Sequence, residues 1–190
     1  MIRHLNADDI DSAAAILATA GGPWLRLAFG RNATRGLRSV LSSGLGHDGV
    51  TTLVAAHAGN VTGVVRLMTF TPSRSQPIAP VTVRARCAQL VLGQGPLRPG
   101  EGYVESIAVF PTARGAGIGR ELLVAAITTA REAGATDLTG WVHRRNDPAL
   151  RLCASIGMDR DPSANRSAPL AYLLGMRAMR LTLPDVRPSG

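Results

Sequence analysis

The sequence predicts a domain of the α/β (α+β) class, with helices packed against a central sheet. Its 190 residues are enough for one domain with a sizeable core. Two strand-like runs, residues 51–57 and 61–70, flank Gly59-Asn60 and predict a β-hairpin. A third run, Tyr103–Phe110, passes through a glycine-rich turn into a helical apolar pattern that begins at Ile118. Together these patterns indicate a sheet whose strands are interrupted by helices.

The residues before the hairpin predict one strand and two helices. Residues 1–5 have a strand pattern, and Asn6 or Asp8 then caps a helix. A second helix is predicted over residues 34–42, after a short element of uncertain type at residues 24–29.

Residues 71–102 form an insertion between the hairpin and the next strand. Prolines and glycines are concentrated at its ends, and its middle, residues 81–92, is compatible with helix or strand. The sequence leaves two interpretations open, a functional wall or lid and an ordered decoration or partner surface.

The residues after the long helix predict a strand, a helix and a closing hairpin. Residues 136–143 have a strand pattern, and Asn146 then caps a helix that Gly157 ends. Residues 158–165 and 168–183 are the predicted strands of the hairpin.

The turn from Arg114 to Gly119 has the composition of an anion site. Pro111 ends the preceding strand because it offers no N–H to a neighbour. Three glycines in five residues allow positive φ and close backbone approach. A helix start presents free N–H groups and a positive dipole end, and Arg114 adds a charge that grips phosphate. The expected ligand is a pyrophosphate held mainly by the backbone.

Two other phosphate loops fit this turn less well. A P-loop needs Gly-Lys followed by Ser or Thr, and the chain contains no lysine. A dinucleotide fingerprint needs Gly-x-Gly-x-x-Gly near the first strand, whereas the spacing here is Gly-x-Gly-x-Gly and lies late in the chain. A tight turn that binds nothing stays open as the plain alternative.

Two motifs together resemble those of the GNAT superfamily of N-acetyltransferases. Residues 109–119, Val-x-Pro-x-x-Arg-Gly-x-Gly-Ile-Gly, are similar to that family's acyl-CoA pyrophosphate loop. Residues 146–158, Asn-x-x-Ala-x-x-Leu-Cys-x-x-x-Gly-Met, are similar to its second motif, Asn-x-x-Ala-x-x-Leu-Tyr-x-x-x-Gly-Phe. The spacing matches throughout, although Cys153 replaces the usual tyrosine and Met158 the usual phenylalanine.

The resemblance implies a fold and a cofactor. The sheet is then mixed and mostly antiparallel, flanked by helices, and it splays between the fourth and fifth strands, where the acyl-pantetheine arm of acetyl-CoA inserts. No metal is implied. Backbone groups of Ile107, Ala108 and Val109 are expected to pair with this arm and with the acyl carbonyl. The other implied cofactor-binding residues are Arg114, Gly115, Ala116, Gly117, Ile118, Gly119, Arg120 and Asn146.

Three side chains are candidates for moving protons in the implied reaction. Glu105 occupies a position where family members often carry a catalytic carboxylate, and strand alternation places it on one face with Tyr103 and Ile107. Its alternative role is a structural ion pair with an arginine. His143 is a second candidate base. Cys153 stands where the family's tyrosine protonates the leaving thiolate, and its alternative role is a buried core residue.

Composition limits the partners and the location. The net charge of +8 suits a nucleic-acid or membrane surface or a site for a polyanionic cofactor. The sparse aromatic residues, at 4%, and the lack of basic clusters favour the cofactor. Two cysteines without CxxC spacing predict neither a zinc site nor a disulfide framework. No membrane-length apolar run or signal-peptide core is present. From the cysteine usage we expect a protein of the reducing cytoplasm. The expected assembly is a monomer or a homodimer.

The sequence therefore predicts one acetyltransferase domain over residues 1–183 and a tail over residues 184–190. Its expected reaction transfers the acetyl group of acetyl-CoA to a primary amine of an unidentified acceptor by direct attack in a ternary complex. A longer acyl group is the rival enzymatic interpretation. A non-catalytic acyl-CoA sensor or scaffold is the alternative of another class, supported by the missing tyrosine, and a nucleic-acid-binding module comes third.

Overall fold

The computed structural model describes residues 1–20, 32–72, 97–163 and 169–183. Within these residues, seven strands form one sheet in the order β1-β2-β3-β4-β5-β7-β6. Every neighbouring pair is antiparallel except β4 and β5, which are parallel. The predicted mixed, mostly antiparallel sheet is therefore confirmed. The strands are β1 (Ile2–His4), β2 (Val50–His57), β3 (Asn60–Thr69), β4 (Glu101–Val109), β5 (Asp137–His143), β6 (Asp159–Arg160) and β7 (Met176–Thr182).

Helices cover both faces of this sheet. The face that we call the α1 face carries a buried cluster from the first two helices together with Val54, Val64 and Ala108 of the sheet. On the opposite face, the α3 face, the two helices that follow β4 and β5 pack against Val65, Leu67 and other residues of the strands. The helices are α1 (Ile10–Ala20), α2 (Ala33–Gly44), α3 (Ile118–Glu132), α4 (Asp147–Ala154) and α5 (Pro169–Leu173).

The closing segment departs from the predicted hairpin. Residues 169–173 form α5 rather than strand, and β6 contains only two residues. β7 lies between β5 and β6, and it pairs with β5 over seven residues, from Asp137↔Thr182 to His143↔Met176. Because β7 pairs with β5, Met179 and Leu183 are buried in the same cluster as Leu138.

Two strand ends also differ from the prediction. β4 begins at Glu101 rather than at Tyr103, and it includes Gly102, where an added Cβ would lie 3.2 Å from Leu138 Cδ1. The β2–β3 turn consists of Ala58 and Gly59, both with positive φ as a two-residue hairpin of this twist requires, rather than Gly59-Asn60. The predictions for residues 24–29, 81–92 and 184–190 fall outside the described residues.

A close approach fixes the start of α3 over β3. A Cβ added at Gly63 would lie 2.8 Å from Leu122 Cδ1 and 3.1 Å from Ile118 Cγ2. No larger residue fits between the helix and the strand without moving one of them. The first turn of α3 is thereby held beside the end of β4, where the candidate site lies.

The N-terminus is tied to the domain by a buried carboxylate. Asp9 accepts hydrogen bonds from both Nη atoms of Arg3, at 2.5 and 2.9 Å, and from the N–H of Asn6. Asn6 in turn accepts from the N–H of Asp9, so the two residues cap the start of the helical segment reciprocally. The Arg3 hydrogen bond holds the pKa of Asp9 below its ordinary value of 3.8.

We expect Asp9→Asn to lower the free energy of unfolding by roughly 1–3 kcal/mol at neutral pH, because a charge-assisted pair is broken and Arg3 is left unpaired. The folded pKa is depressed, so this stabilisation is present above 3.8 and is lost as the pH falls through the folded value. Urea unfolding of the parent and of Asp9→Asn, at neutral and at acidic pH, measures the difference in their free energies of unfolding.

Asp11→Asn is the matched control, because Asp11 pairs with Arg38 at the surface, where such pairs contribute little. A loss in Asp9→Asn that is equal at pH 7 and pH 3 would contradict the ionic explanation.

Candidate active site

β4 and β5 pair only over their first halves. The register runs from Glu101↔Asp137 to Val104↔Gly140 and goes no further. β4 nevertheless continues along β3 up to Val109, and β5 continues along β7. The predicted splay between the fourth and fifth strands is confirmed, and we call the opening between them the β4–β5 gap.

A β-bulge interrupts β4 at the gap. Arg66 of β3 lies opposite Ser106, and the next residue, Leu67, lies opposite Val104. Glu105 is therefore an extra residue with no residue opposite it in the strand register. The predicted alternation of Glu105 is therefore wrong in part. Glu105 contacts Arg66 on the α1 face, whereas Ile107 packs on the α3 face.

Downstream of the bulge, backbone groups of β4 face the gap. Phe110 donates its N–H to Thr62 O on β3 at 2.8 Å. Since successive residues of a strand direct their backbone groups to opposite edges, Val109 and Ile107 turn theirs toward the gap and Ala108 turns its groups toward β3. Val109 O is already engaged, because Arg114 Nε donates to it at 3.1 Å.

The glycine-rich turn that follows leaves a helix start open. Gly115 and Gly117 have φ values of 85° and 81°, which side chains other than glycine rarely adopt. Gly117 is the N-cap of α3 and provides no side-chain cap, so the first N–H groups of the helix lack an intrahelical partner. A Cβ added at Gly115 or Gly117 would meet nothing within 4 Å. Free donors, a helix dipole and open space therefore fit an anion such as a pyrophosphate.

Arg114 and Arg120 supply positive charge at this turn. Both side chains are exposed, and the bond from Arg114 Nε to Val109 O anchors that guanidinium while leaving its two Nη groups for a ligand. This anchoring bond has no signature in the sequence.

Glu105 is paired with an arginine that sequence reasoning missed. Arg66 Nη1 donates to Glu105 Oε2, and the Arg66 side chain is 7% exposed while that of Glu105 is 23% exposed. Arg66 Nε is buried and has no hydrogen-bond partner among the described residues. The ion pair that was the structural alternative for Glu105 therefore exists, and the proton-transfer role stays a prediction.

Cys153 lies in an apolar environment. Its thiol is free and buried among residues that include Leu138, Met158 and Met179. Burial raises the pKa of the Cys153 thiol, so it stays protonated at neutral pH. Its role as an acid in catalysis stays a prediction.

His143 and Asn146 are both engaged with the backbone. His143, the last residue of β5, accepts a hydrogen bond from the N–H of Arg145 at Nδ1, which assigns the proton of a neutral ring to Nε2. Asn146 Oδ1 accepts from the N–H of Ala149 at 3.3 Å and caps α4, as its sequence position predicts. The structure thus places His143 at the end of β5 and Asn146 at the start of α4.

Two classes of site are missing from the described residues. No group of three or more His, Cys, Asp or Glu side chains in these ranges is arranged to hold a metal ion. No helix within them has the length and apolar content needed to cross a membrane.

Comparison with protein families gives one extended match. Residues 23–158 match the family model described as "Acetyltransferase (GNAT) family". No curated protein sequence matches the chain significantly.

Solved structures share the fold over nearly the whole chain. A ribosomal-protein-alanine N-acetyltransferase from Brucella melitensis is 20% identical, with a TM-score of 0.63, and the match covers 96% of this chain and 99% of that one. The yncA protein of Salmonella typhimurium, solved with its cofactor acetyl-CoA, is 21% identical, with a TM-score of 0.60 and coverage of 100% and 98%. Ard1 from Thermoplasma volcanium is 16% identical, with a TM-score of 0.58 and coverage of 97% and 98%. At these identities the likeness concerns the fold.

We expect the Cys153 thiol to react with a thiol reagent at least roughly a hundredfold more slowly in the folded than in the unfolded protein, because it is buried and protonated. The measurement uses a Cys87→Ser background, since the chain has two cysteines. In the same background Cys153→Ala should cost about 1 kcal/mol of stability. Fast labelling of the folded protein at neutral pH would contradict a buried, protonated Cys153 thiol.

Proposed function

Because the chain belongs to the GNAT acetyltransferase family and is an acyltransferase that uses acetyl-CoA, we propose that it acetylates a primary amine by direct attack in a ternary complex. The observation that carries this proposal is that the β4–β5 gap and the uncapped start of α3 lie at the same end of β4. A long thioester with a pyrophosphate at its far end needs both features, and only a short 3-10 turn, Pro111–Ala113, and the glycine-rich turn lie between them.

The turn supplies most of the binding of the cofactor phosphates. The N–H groups from Gly115 to Gly119 act on the pyrophosphate through the helix start, and Arg114 and Arg120 add charge from the exposed side. Gly115 and Gly117 leave the phosphates room to approach the backbone. Asn146 contributes from the start of α4.

The unpaired edge of β4 takes the acyl end of the cofactor. Ile107 offers its N–H and C=O, and Val109 its N–H, to the pantetheine arm as a neighbouring strand does, while Ala108 packs in the core of the α1 face. An N–H on this edge stabilises negative charge that develops on the thioester oxygen. Alignment of the two reactants supplies several kcal/mol more.

Glu105 is the base in this proposal. A primary amine is protonated at neutral pH, so its proton must leave before the nitrogen attacks. Glu105 lies on the bulge at the mouth of the gap and is partly exposed, which gives it access to an acceptor on the α1 face. The departing thiolate takes a proton from Cys153 or from water, and the burial of Cys153 favours water.

The acceptor is an amine whose identity the proposal leaves to experiment. The Brucella relative is named for alanine of a ribosomal protein, which makes a peptide that begins with alanine a first acceptor to try. A panel of this peptide, free alanine, spermidine and benzylamine separates peptide, amino-acid, polyamine and simple amine acceptors. We place the reaction in the cytoplasm, in a monomer or homodimer.

A second candidate is a non-catalytic acyl-CoA sensor. The observation in its favour is Cys153, a short and buried side chain at the position of the family's tyrosine. Thiol release from acetyl-CoA across the panel distinguishes the two, because a sensor binds acetyl-CoA and releases no thiol.

We expect Gly117→Asp to weaken acetyl-CoA binding by at least about tenfold, or 1.4 kcal/mol. The new carboxylate repels the phosphates, and the positive φ of 81° disfavours a side chain. Isothermal calorimetry measures the affinity.

Gly59→Asp is the matched control, because Gly59 has a φ of 80° and equally open surroundings in the β2–β3 turn. Affinity that falls as much in Gly59→Asp as in Gly117→Asp would remove the pyrophosphate assignment.

We expect Glu105→Gln to reduce kcat by roughly 10²-fold or more while acetyl-CoA affinity stays the same, because the substitution keeps the shape and removes the base. Steady-state kinetics with the best acceptor of the panel gives kcat. Glu132→Gln, an exposed residue at the end of α3, is the control and should keep parental turnover. A near-parental kcat in Glu105→Gln would indicate that His143 or water, rather than Glu105, is the base.

A further inference from the structure

Arg66 is a buried charge at the centre of the sheet. Among the described residues only Asp9 and Arg66 are charged and buried, and Arg66 is 5% exposed. Burying a cation costs free energy that a single partner seldom recovers, and apolar residues of the same volume are often as stabilising. Packing and stability alone therefore give no reason for an arginine at this position.

Two neighbours lie close to the guanidinium. Nη1 donates to Glu105 Oε2 on the bulge of β4. Gly44, the last residue of α2, is near Nη2, because a Cβ added there would be 3.1 Å from that atom. The carboxyl end of a helix carries partial negative charge, so the cation is close both to this end and to the Glu105 carboxylate.

The Arg66–Glu105 ion pair restricts the rotation of the Glu105 side chain, which the bulge alone does not restrict. A bulged residue has no partner across the strand pair, and a glutamate side chain carries several rotatable bonds. Arg66 binds Oε2 and does not engage Oε1, so it fixes the carboxylate while leaving one oxygen for another partner.

We propose that Arg66 is a positioning residue that holds Glu105 through Oε2 so that Oε1 accepts the proton of the acceptor amine. The inference rests on the proposed function, because it requires Glu105 to act as the base. One ammonium N–H bond breaks as its proton moves to Oε1, and the nitrogen lone pair forms the C–N bond while the C–S bond of the thioester breaks. The nitrogen loses its second proton to water, and the leaving thiolate takes a proton from water to become the free thiol. Arg66 is buried, so it acts through Glu105 rather than on the acceptor.

The test is a double-mutant cycle of Arg66→Lys and Glu105→Gln. Lysine keeps the charge and loses the guanidinium geometry, so kcat should fall by roughly tenfold or more in the parent. The KM for acetyl-CoA should stay the same. In the Glu105→Gln background Arg66→Lys should cause no further loss of kcat. The acceptor is the panel amine that the parent turns over fastest.

Gly44→Ala provides a second perturbation, which changes neither Arg66 nor Glu105 chemically. Its Cβ would lie 3.1 Å from Arg66 Nη2 and 3.3 Å from Val50 Cγ1, which moves the guanidinium. We expect it to lower kcat in the parent and not in Glu105→Gln. If Arg66→Lys fails to fold, this variant completes the cycle, with melting temperature reporting the folded state of each protein.

Arg3→Lys is the matched control, because it weakens another arginine–carboxylate pair, Arg3–Asp9, whose acid is buried and which lies away from the gap, at the β1 edge of the sheet. Its kcat should stay within about twofold of the parent. Equal losses from Arg66→Lys in the parent and in Glu105→Gln, or no loss in the parent, would overturn the positioning role. If Glu105→Gln alone keeps the parental kcat, Glu105 is not the base, and the positioning role of Arg66 is overturned with it. An absence of turnover with every panel amine would favour the sensor and overturn both proposals.

Discussion

One strand has two neighbours along its first half and one along its second. β4 pairs with β5 only up to Val104, while its pairing with β3 continues to Val109. Backbone N–H and C=O groups that lack partners cost free energy unless water or a ligand satisfies them. The unpaired edge of β4 is tolerable because it faces an opening, and this same edge is what a thioester arm requires. Binding here completes a hydrogen-bond pattern that the fold leaves unfinished.

The placement of the phosphate-binding turn follows from the same strand. The turn leaves the end of β4, and Gly63 allows the first turn of α3 to sit directly on β3. The helix start and the gap therefore both adjoin the end of β4. Their separation is set by the short turn between β4 and α3 and by the contact of α3 with Gly63 on β3.

Local patterns were enough to predict much of this arrangement. The strand-like runs at residues 51–57 and 61–70 and the cap at Asn146 depend on neighbours within a few residues, and the structure has them close to where the sequence places them. The mostly antiparallel order and the splay came from the resemblance of two motifs rather than from periodicity.

The features that escaped prediction depend on residues far apart in the chain. The bulge at Glu105 exists because β3 and β4 shift register at one point, and nothing in the β4 sequence alone marks it. Arg66 lies in a run of apolar residues 39 positions before its partner, so its role emerges only once the strands are adjacent. β7 enters between β5 and β6 because that position buries its apolar side chains, a choice set by tertiary packing.

The position of β7 has a consequence for how the chain folds during translation. Strand β5 and helix α4 leave the ribosome before residues 176–183, yet these residues supply Met179 and Leu183 to the cluster that surrounds Leu138 and Cys153. Until residues 176–183 emerge, β5 has its partner β4 on one side only, and its other edge is open to non-native pairing. The half of the domain that contains β5 and α4 thus closes late, as a long-range step, while β1, β2 and β3 with α1 and α2 can assemble from residues already made.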